Sequence, residues 1–346
     1  MTRVLPADLL HAIQSAAGDK WPTAAFEMLA GSDVLRWGVP AEYGGVPVDN
    51  VTFTRGYVEL AEADLAACFV LTQRNGAVQR IASSDSTEAK EAFLPGLARG
   101  DTFATVGISH LTTSRQHTEP AMRVAIDGDT VRLDGMCPWA TSATRADLLV
   151  TGGQLADGTQ LLTVVKREDG FVPGTPMSLL ALSGSETGTV SLEDVVIPRS
   201  QILAGPIDAV MKQGKGGGAG SLTTSALAVG LSLRAVAMLE EEGGSRDEIA
   251  VAAQPLRTEV DGLHRDLLTA AAGEGGSAEQ LRTRANSLAL RSTQALLTAT
   301  KGAGFLTGHA AERAVREAMF FLVWSCPRPV AEAAMAEFAC VSSLAS

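Results

Sequence analysis

Residues 137–147, CPWATSATRAD, follow an alternating segment, DTVRLDG (129–135), and precede an apolar run, LLVTGG (148–153). Alternation with a period of two is typical of a strand with one buried face, and on such a strand Trp139 and Thr141 point to the same face. An indole provides a stacking surface and a hydroxyl provides a hydrogen-bond donor, so the pair suits a flat polar ring such as a flavin. For these two residues alone, an ordinary core aromatic and a β-branched strand residue are the simpler interpretation.

The spacing of apolar residues changes twice along the chain. It is three to four from about residue 6 to 99, two from about 101 to 203, and three to four again beyond 222. These periods predict an α+β multidomain fold. We expect an N-terminal α-helical domain over 1–104, a central antiparallel β-barrel domain over 105–205 and a C-terminal four-helix bundle over 206–346. The glycine-rich segment 212–220 lacks the Lys-Ser/Thr ending of a phosphate loop and is interpreted as a flexible connection.

The composition narrows the classes of function. The chain has 346 residues, of which 46% are hydrophobic and 19% charged, with a net charge of -11 and no block of Lys or Arg, so nucleic acid is not an expected partner. No apolar run approaches a membrane span, and the first residues lack the pattern of a cleavable signal. We therefore expect a cytoplasmic protein without membrane contact. The four cysteines show no CxxC spacing, so no metal site is predicted.

Four motifs, in this order, resemble the acyl-CoA dehydrogenase family: VPAEYGG (39–45), PWATSATRAD (138–147), LEDVVIP (192–198) and GAGFLTGHAAERAVREA (302–318). In that family a segment similar to A-L-T-E-P-x-A-G-S-D precedes the W-I-T-N/S strand, and its Thr contacts the flavin ring. Here VGISHLTTSRQ (106–116) occupies that place, and counting back from Trp139 without a gap aligns Ser109 with the Thr.

The resemblance implies a chemistry as well as a fold. Family members bind FAD between the β-domain and the helical bundle, remove the α-proton of an acyl-CoA thioester with a carboxylate, and pass the β-hydride to flavin N5. It implies that Trp139 stacks on the flavin, that Thr141 hydrogen-bonds to it and that Ser109 holds its edge. It also implies a homodimer or homotetramer.

The catalytic carboxylate of the family is not found where the alignment expects it. Ser325 stands at the Glu of the family's Y-E-G-T motif, and Gly220 stands at the alternative base position, which precedes an Arg replaced here by Ser221. A serine hydroxyl is too weak a base without a neighbouring His or Lys. His110, at the Glu of L-T-E-P, is the candidate proton-transfer group, because imidazole exchanges protons near neutral pH.

Other charged residues offer weaker alternatives. Glu332 and Glu337 lie on the next predicted helix, where a solvated face is their simpler role. Arg115 and His117 follow the Ser109 segment and are candidates for a phosphate or carboxylate contact, although exposed loop charge is the default interpretation.

The motifs that bind the ADP half of FAD in the family are also altered in this sequence. The family's R-x-x-F-G motif is missing between residues 239 and 256, Thr298 replaces a Gln, and KGAG (301–304) replaces G-G-x-G. Arg246 is a candidate replacement for the lost phosphate contact. FAD is the expected cofactor, and FMN, reduced flavin or no flavin remain alternatives.

Three functions therefore stay open at this point. The first is a flavin-dependent acyl-CoA dehydrogenase with a relocated base. The second is a flavin-dependent monooxygenase of the same fold, in which Ser109, His110 and Ser325 line an oxygen pocket. The third is a non-catalytic member that is kept as a binding or assembly protein.

Overall fold

The structure, a computed structural model, describes residues 3–112, 119–213, 222–244 and 246–341. In chain order its helices and strands are α1 (Ala7–Ala16), α2 (Thr23–Ala30), α3 (Asn50–Ala63), α4 (Leu65–Ala82), α5 (Thr87–Arg99), β1 (Ala104–Val106), α6 (Ser109–Thr112), β2 (Met122–Asp127), β3 (Thr130–Ala140), β4 (Leu148–Gln154), β5 (Gln160–Lys166), β6 (Val172–Pro173), β7 (Gly188–Pro198), β8 (Ile202–Ile207), α7 (Val210–Gln213), α8 (Thr223–Gly243), α9 (Asp247–Ala271), α10 (Ala278–Gly304), α11 (Ala310–Met319) and α12 (Arg328–Phe338).

The N-terminal helices begin at residues that satisfy free backbone N–H groups. Asp49 accepts from the N–H of Thr52 to cap α3, Asp64 accepts from the first turn of α4, and Ser86 caps α5. Helix α4 is buried on nearly all sides. Most of its apolar residues up to Leu71 belong to the largest core, which also contains residues of α3, α8, α10 and α11, whereas Ala77, Val78 and Ile81 belong to a second core with residues of β1, β4 and β5. The N-terminal and C-terminal helices therefore share one hydrophobic core.

The strands form one eight-stranded sheet. Its order is β6-β7-β3-β2-β4-β5-β8, with β1 paired to β4. The pairs β2–β3, β3–β7, β4–β5, β5–β8 and β6–β7 are antiparallel, whereas β1 and β2 run parallel to β4. A separate core of Val, Leu and Ile side chains covers one face of β2, β3, β4, β5 and β7.

The predicted α+β class and its order of helices, strands and helices are confirmed, but two details are not. Among the described residues the terminal strands of the sheet, β6 and β8, do not pair, so the sheet does not close into the predicted barrel. The sheet is also weakly joined at its middle, because β2 and β4 pair at a single position, Arg123 with Gln154. The C-terminal region contains three long helices, α8, α9 and α10, followed by the shorter α11 and α12, and the predicted count of four is not confirmed.

Three further features complete the fold. Among the described helices none is long and apolar enough to span a membrane. Within the same residues no cluster of three or more His, Cys, Asp or Glu has the geometry for a metal ion. Most of the glycine-rich segment, 214–220, and the residues Arg115, His117 and Ser221 lie outside the described part of the chain.

Candidate functional site

The end of strand β3 determines the orientation of Trp139. Up to Cys137 the strand alternates regularly, with Val131, Leu133 and Cys137 buried. The pairing with β7 then shifts by one residue between Cys137 and Ala140, which is a β-bulge. The bulge reverses the alternation, so Trp139 is 42% exposed although Cys137 and Ala140 are buried. The indole therefore lies on the surface of the sheet and can accept a stacked ring.

Thr141 differs from the sequence-based prediction, which placed it beside Trp139 on one strand face. The strand ends at Ala140, and Thr141 begins a turn in which its side chain is 1% exposed. Its hydroxyl lies 3.1 Å from the Thr187 hydroxyl, which lies 2.8 Å from that of Ser185. The Thr105 hydroxyl also donates to the Thr141 carbonyl oxygen. The Thr141 side chain is thus held inside the protein by a chain of hydroxyl groups.

Ser109 lies next to the bulge. It begins the short helix α6, which packs on β3, and both its side chain and its backbone are within hydrogen-bonding reach of the Cys137 thiol. Burial raises the pKa of this thiol to about 11, against the smaller opposing effect of its hydrogen bonds. The thiol donates in turn to the Trp139 carbonyl oxygen, at 3.3 Å. The structure therefore brings Ser109 and Trp139 together through Cys137, a residue that the sequence analysis did not select.

His110 is oriented by strand β4. Its Nε2 lies 2.7 Å from the carbonyl oxygen of Gly152. A carbonyl oxygen can only accept, so Nε2 carries the hydrogen and Nδ1 keeps a free electron pair. Nδ1 is buried and has no hydrogen-bond partner among the described residues. Burial lowers the pKa of His110, with the Gly152 hydrogen bond as a smaller opposing effect, so the ring is neutral at pH 7.

Gly152 is also required for this arrangement. A Cβ atom at this position would lie 2.0 Å from the carbonyl oxygen of Leu161 and 3.2 Å from the Leu111 side chain. Gly152 therefore lets β5 approach β4 closely, and it also leaves room for the Leu111 side chain of α6. The sequence showed this glycine pair only as the end of an apolar run, and it did not indicate that Gly152 lies against α6.

Ser325 lies in a loop between the 3-10 turn Phe320–Leu322 and α12. It is exposed and adopts a left-handed backbone conformation, with φ of 42°. The preceding Trp324 stacks on Phe320 at 5.5 Å between ring centroids and meets Phe69 of α4 edge-on at 4.8 Å. Its carbonyl oxygen accepts from Nη2 of the buried Arg282 at 2.8 Å. Ser325 is thus carried by a well-anchored loop on the helical side of the molecule, whereas Ser109, His110 and Trp139 lie on the sheet side.

The alternative charged residues are used in local contacts. Arg328 donates to Glu332 at 2.6 Å, and Ser287 donates to Glu337 at 2.7 Å. Arg246, the candidate phosphate ligand, pairs with Glu242 and donates to the carbonyl oxygen of Ala299 at 2.9 Å. Its guanidinium is therefore already engaged within the helical region.

A cleft of about 380 Å³ lies at another place, where the first turns of α3 and α8 meet the end of α9. Phe53 and Tyr57 form part of its wall, and Thr54, Gln79 and Thr223 contribute polar groups. None of Ser109, His110, Trp139, Thr141 and Ser325 lines it. The exposed indole of Trp139 is therefore not part of this cleft.

Comparisons with known proteins agree with this architecture. A family model described as "Acyl-CoA dehydrogenase, N-terminal domain" matches residues 5–101. The probable acyl-CoA dehydrogenase FadE10 of Mycobacterium tuberculosis is 25% identical over 216 residues, which cover 59% of this chain and 33% of that protein. The chain thus matches about a third of the length of this relative.

Two solved structures share the fold over nearly the whole chain. Butyryl-CoA dehydrogenase from Megasphaera elsdenii superposes with a TM-score of 0.80 at 16% identity, covering 98% of this chain and 99% of that chain. A glutaryl-CoA dehydrogenase from Mycobacterium smegmatis in complex with FADH2 superposes with a TM-score of 0.78 at 16% identity, covering 99% and 92%. Residues 5–101 thus match the N-terminal domain model of the acyl-CoA dehydrogenases, and the chain has the fold of acyl-CoA dehydrogenases over nearly its whole length.

Proposed function

We propose that this protein is a flavin-dependent oxidoreductase that acts on the CH–CH bond of an acyl-CoA thioester. The observation that carries the proposal is the exposed indole of Trp139, which the β-bulge turns out of the core. An exposed indole on a sheet surface offers a face on which a planar ring can stack. The family supports a flavin as that ring.

The residues beside Trp139 fit a flavin. Stacking would come from the indole, and Ser109 would hold the edge of the ring from the first turn of α6. The hydroxyls of Thr141, Thr187 and Ser185 carry three hydrogens, and two of these are used in the hydrogen bonds between them. The third hydrogen is free on the hydroxyl at one end of the chain, either Thr141 or Ser185. Thr141 therefore keeps an unused hydrogen when Ser185 and Thr187 both donate towards it, and donation to the ring would require its buried hydroxyl to become accessible.

The ADP half of FAD has weaker support. Arg246 is committed to Glu242 and Ala299, so it does not replace the missing R-x-x-F-G arginine. We propose FAD as the cofactor because the family uses it. FMN is the alternative, because the residues that suit the isoalloxazine ring do not depend on the ADP group. When bound, the flavin would supply the acceptor for the hydride that leaves the substrate.

The proton step needs a base other than Ser325. An exposed serine without a neighbouring His or Lys remains protonated near neutral pH. We propose that His110 fills the role of proton acceptor, because its Nε2 is locked as a donor and its Nδ1 electron pair is free. Ser325 then serves as a polar group at the family's base position, held in place by the anchored loop.

We also propose that the protein is a homodimer or homotetramer and that it works in the cytoplasm. One end of the helical region exposes Val251, Phe305 and Leu306, with 73%, 78% and 67% of their surface accessible. Large apolar side chains that are exposed together favour an interface. The expected result is a mass of two or four chains by light scattering coupled to gel filtration.

The test of the proposed function uses the protein reconstituted with FAD or with FMN. Under anaerobic conditions a panel of acyl-CoA thioesters is added, and the flavin absorption near 450 nm is followed. Bleaching by an acyl-CoA supports the dehydrogenase. Oxygen consumption by the chemically reduced protein, without bleaching by any acyl-CoA, would favour the monooxygenase instead. A protein that retains no flavin under either condition would leave only the non-catalytic role.

A further inference from the structure

The cleft at the first turns of α3 and α8 offers hydrogen-bonding groups but no charged group. Its volume of about 380 Å³ lies within the range of small-molecule pockets, which is about 300–1,000 Å³. Its described lining contains no Lys, Arg, His, Asp or Glu, and its polar side chains are those of Asn50, Thr54, Tyr57, Gln79 and Thr223. The direction in which the Tyr57 hydroxyl donates is determined by its neighbours on α4.

Tyr57 stands at the end of a hydrogen-bond chain that begins at Arg74. Nη1 of Arg74 donates to Oδ1 of Asn75 at 2.8 Å, and Nδ2 of Asn75 donates to the Tyr57 hydroxyl oxygen at 3.0 Å. A guanidinium only donates, so the Asn75 amide cannot be turned around and the Tyr57 oxygen must accept. The Tyr57 hydrogen is therefore left for another acceptor, and none of the described residues provides one.

The contact between Asn75 and Tyr57 lies at the wall of the cleft. Asn75 and Gln79 are one turn apart on the same face of α4, and Gln79 lines the cleft, as Tyr57 does from α3. Phe53, one turn before Tyr57 on α3, meets its ring edge-on at 4.9 Å between centroids and is also part of the lining. The unused hydrogen of Tyr57 is thus next to an aromatic wall.

Arg74 is a buried cation without a carboxylate. It is 1% exposed, and its guanidinium donates to Asn75 and to the carbonyl oxygen of Leu97. Burial lowers the pKa of Arg74 to about 10, with the nearby Tyr57 as a smaller opposing effect, so the guanidinium is positively charged at pH 7. In the described part of the chain no Asp or Glu pairs with it. Because buried charges are nearly always paired, an anion beside Tyr57 would supply the missing negative charge.

We propose that this cleft binds a small organic carboxylate, one oxygen of which accepts from the Tyr57 hydroxyl, while the charge of Arg74 acts through Asn75. The aromatic wall at Phe53 favours an acid with a planar apolar body, such as an aryl carboxylate. Ser109, His110 and Trp139 do not line the cleft, so the proposal does not depend on a flavin.

The first test is a titration of the wild-type protein with sodium benzoate and with benzamide, followed by saturation-transfer NMR. The two probes have nearly the same shape, but only benzoate carries a charge. We expect benzoate to bind at least about tenfold more tightly, because a hydrogen bond to a charged acceptor is stronger than one to a neutral acceptor. Benzamide that binds as tightly as benzoate would overturn the assignment of a carboxylate. No binding of benzoate would overturn the site itself.

The second test locates the bound probe. Tyr57→Phe keeps the aromatic ring and removes only the hydroxyl, so it should bind benzoate about tenfold more weakly. Tyr43→Phe is the matched control, because Tyr43 is the other tyrosine of the chain and does not line the cleft. This control should bind benzoate as the wild type does. Unchanged binding by Tyr57→Phe, or an equal loss in both variants, would overturn the proposal.

A further variant leaves the hydrogen bonds of Tyr57 in place. Ala272 is exposed at the end of α9 and lines the cleft, so Ala272→Trp should fill the cleft without disturbing the core. We expect this variant to lose benzoate binding, whether or not Tyr57→Phe folds. Benzoate binding that survives in Ala272→Trp would show that the probe lies elsewhere and would overturn the proposal.

Discussion

At the scale of single residues, Asp64 combines two roles at the junction of α3 and α4. Its carboxylate accepts from the backbone N–H of Ala66 at 2.9 Å, which caps α4, and the side chain is 2% exposed. Burial, and secondarily the charge of Glu317, raises the pKa of Asp64 to about 6. Glu317 itself is paired with the buried Arg234, and Arg313 lies 3.6 Å from it. Four charged groups thus share one buried junction, which the sequence spacing did not indicate.

The raised pKa of Asp64 predicts a pH dependence of stability. The folded state holds this proton more tightly than the unfolded chain, so the contribution is fully present below about pH 4 and is lost as the pH rises through 6. Asp64→Asn keeps an oxygen for the cap but has no proton to lose. We expect the free energy of unfolding of the wild type, relative to this variant, to fall by about 1 kcal/mol between pH 5 and 7.5. Urea unfolding at both pH values measures this difference, and a constant difference would show that Asp64 does not titrate in this range.

Part of the candidate site was predictable residue by residue. The family resemblance selected Ser109 and Trp139, which both contact Cys137, and it selected His110 as the candidate proton-transfer group. The roles of these residues stay predictions. The sequence analysis placed Trp139 on a regular strand, and alternation continued through residue 139 would have buried the indole beside Cys137. One extra residue in β3 decides its orientation, and a bulge depends on pairing with β7, which lies some 50 residues away in the chain.

At the scale of elements, the β2–β3 hairpin depends on two glycines with different surroundings. Gly135 has φ of 143°, and a Cβ there would lie 2.2 Å from the carbonyl oxygen of Ala121. Gly128, in the turn of the same hairpin, has φ of 54°, and a Cβ there would have nothing within 4 Å. Both positions favour glycine by conformation, but only Gly135 also lacks the space for a side chain.

These surroundings predict unequal costs for the same substitution. Gly135→Ala should lower the free energy of unfolding by about 3 kcal/mol or more, because strain and a backbone clash add together. Gly128→Ala should cost about 1 kcal/mol, from conformation alone. Chemical denaturation of both variants gives the comparison. Similar losses in the two variants would mean that β2 moves away from β3 at little cost.

The elements were easier to predict than their assembly. Helices such as α3 and α4 followed from the spacing of apolar residues, which is a local feature. Closure of the sheet into a barrel was expected but not found, since it depends on pairing between β6 and β8, which are distant in the chain. The parallel pairing of β1 with β4 was also not anticipated from a run of hairpin-like segments.

At the scale of the whole molecule, the N-terminal and C-terminal helices are joined through Gly230. A Cβ at this position of α8 would lie 2.5 Å from the carbonyl oxygen of Val58 and 2.7 Å from the Cβ of Ala61, both on α3. Glycine therefore lets the two helices cross at close range. The boundaries after residues 104 and 205 stay predictions, because the shared core continues from the first helical region into the last.

Adding a methyl group where α3 and α8 cross should destabilise the whole fold. Gly230→Ala is expected to lower the free energy of unfolding by about 2–3 kcal/mol, as an overpacked core does. Gly262→Ala, in helix α9, is the control, because its nearest atom would be Nη2 of Arg265 at 3.9 Å. There alanine should raise stability by up to about 1 kcal/mol through helix propensity. If Gly230→Ala were instead as stable as the wild type, α3 and α8 would have room to separate.

The measurement closest to the central claim is the flavin affinity of the wild type, Trp139→Phe and Trp139→Ala, determined with FAD and with FMN by fluorescence quenching. If the indole is the stacking surface, Trp139→Ala should weaken binding by about tenfold or more, and Trp139→Phe, which keeps an aromatic face, by less than about threefold. Circular dichroism of both variants should match the wild type, because the indole lies outside the core. Flavin binding that is equally tight without any ring at position 139 would contradict the account.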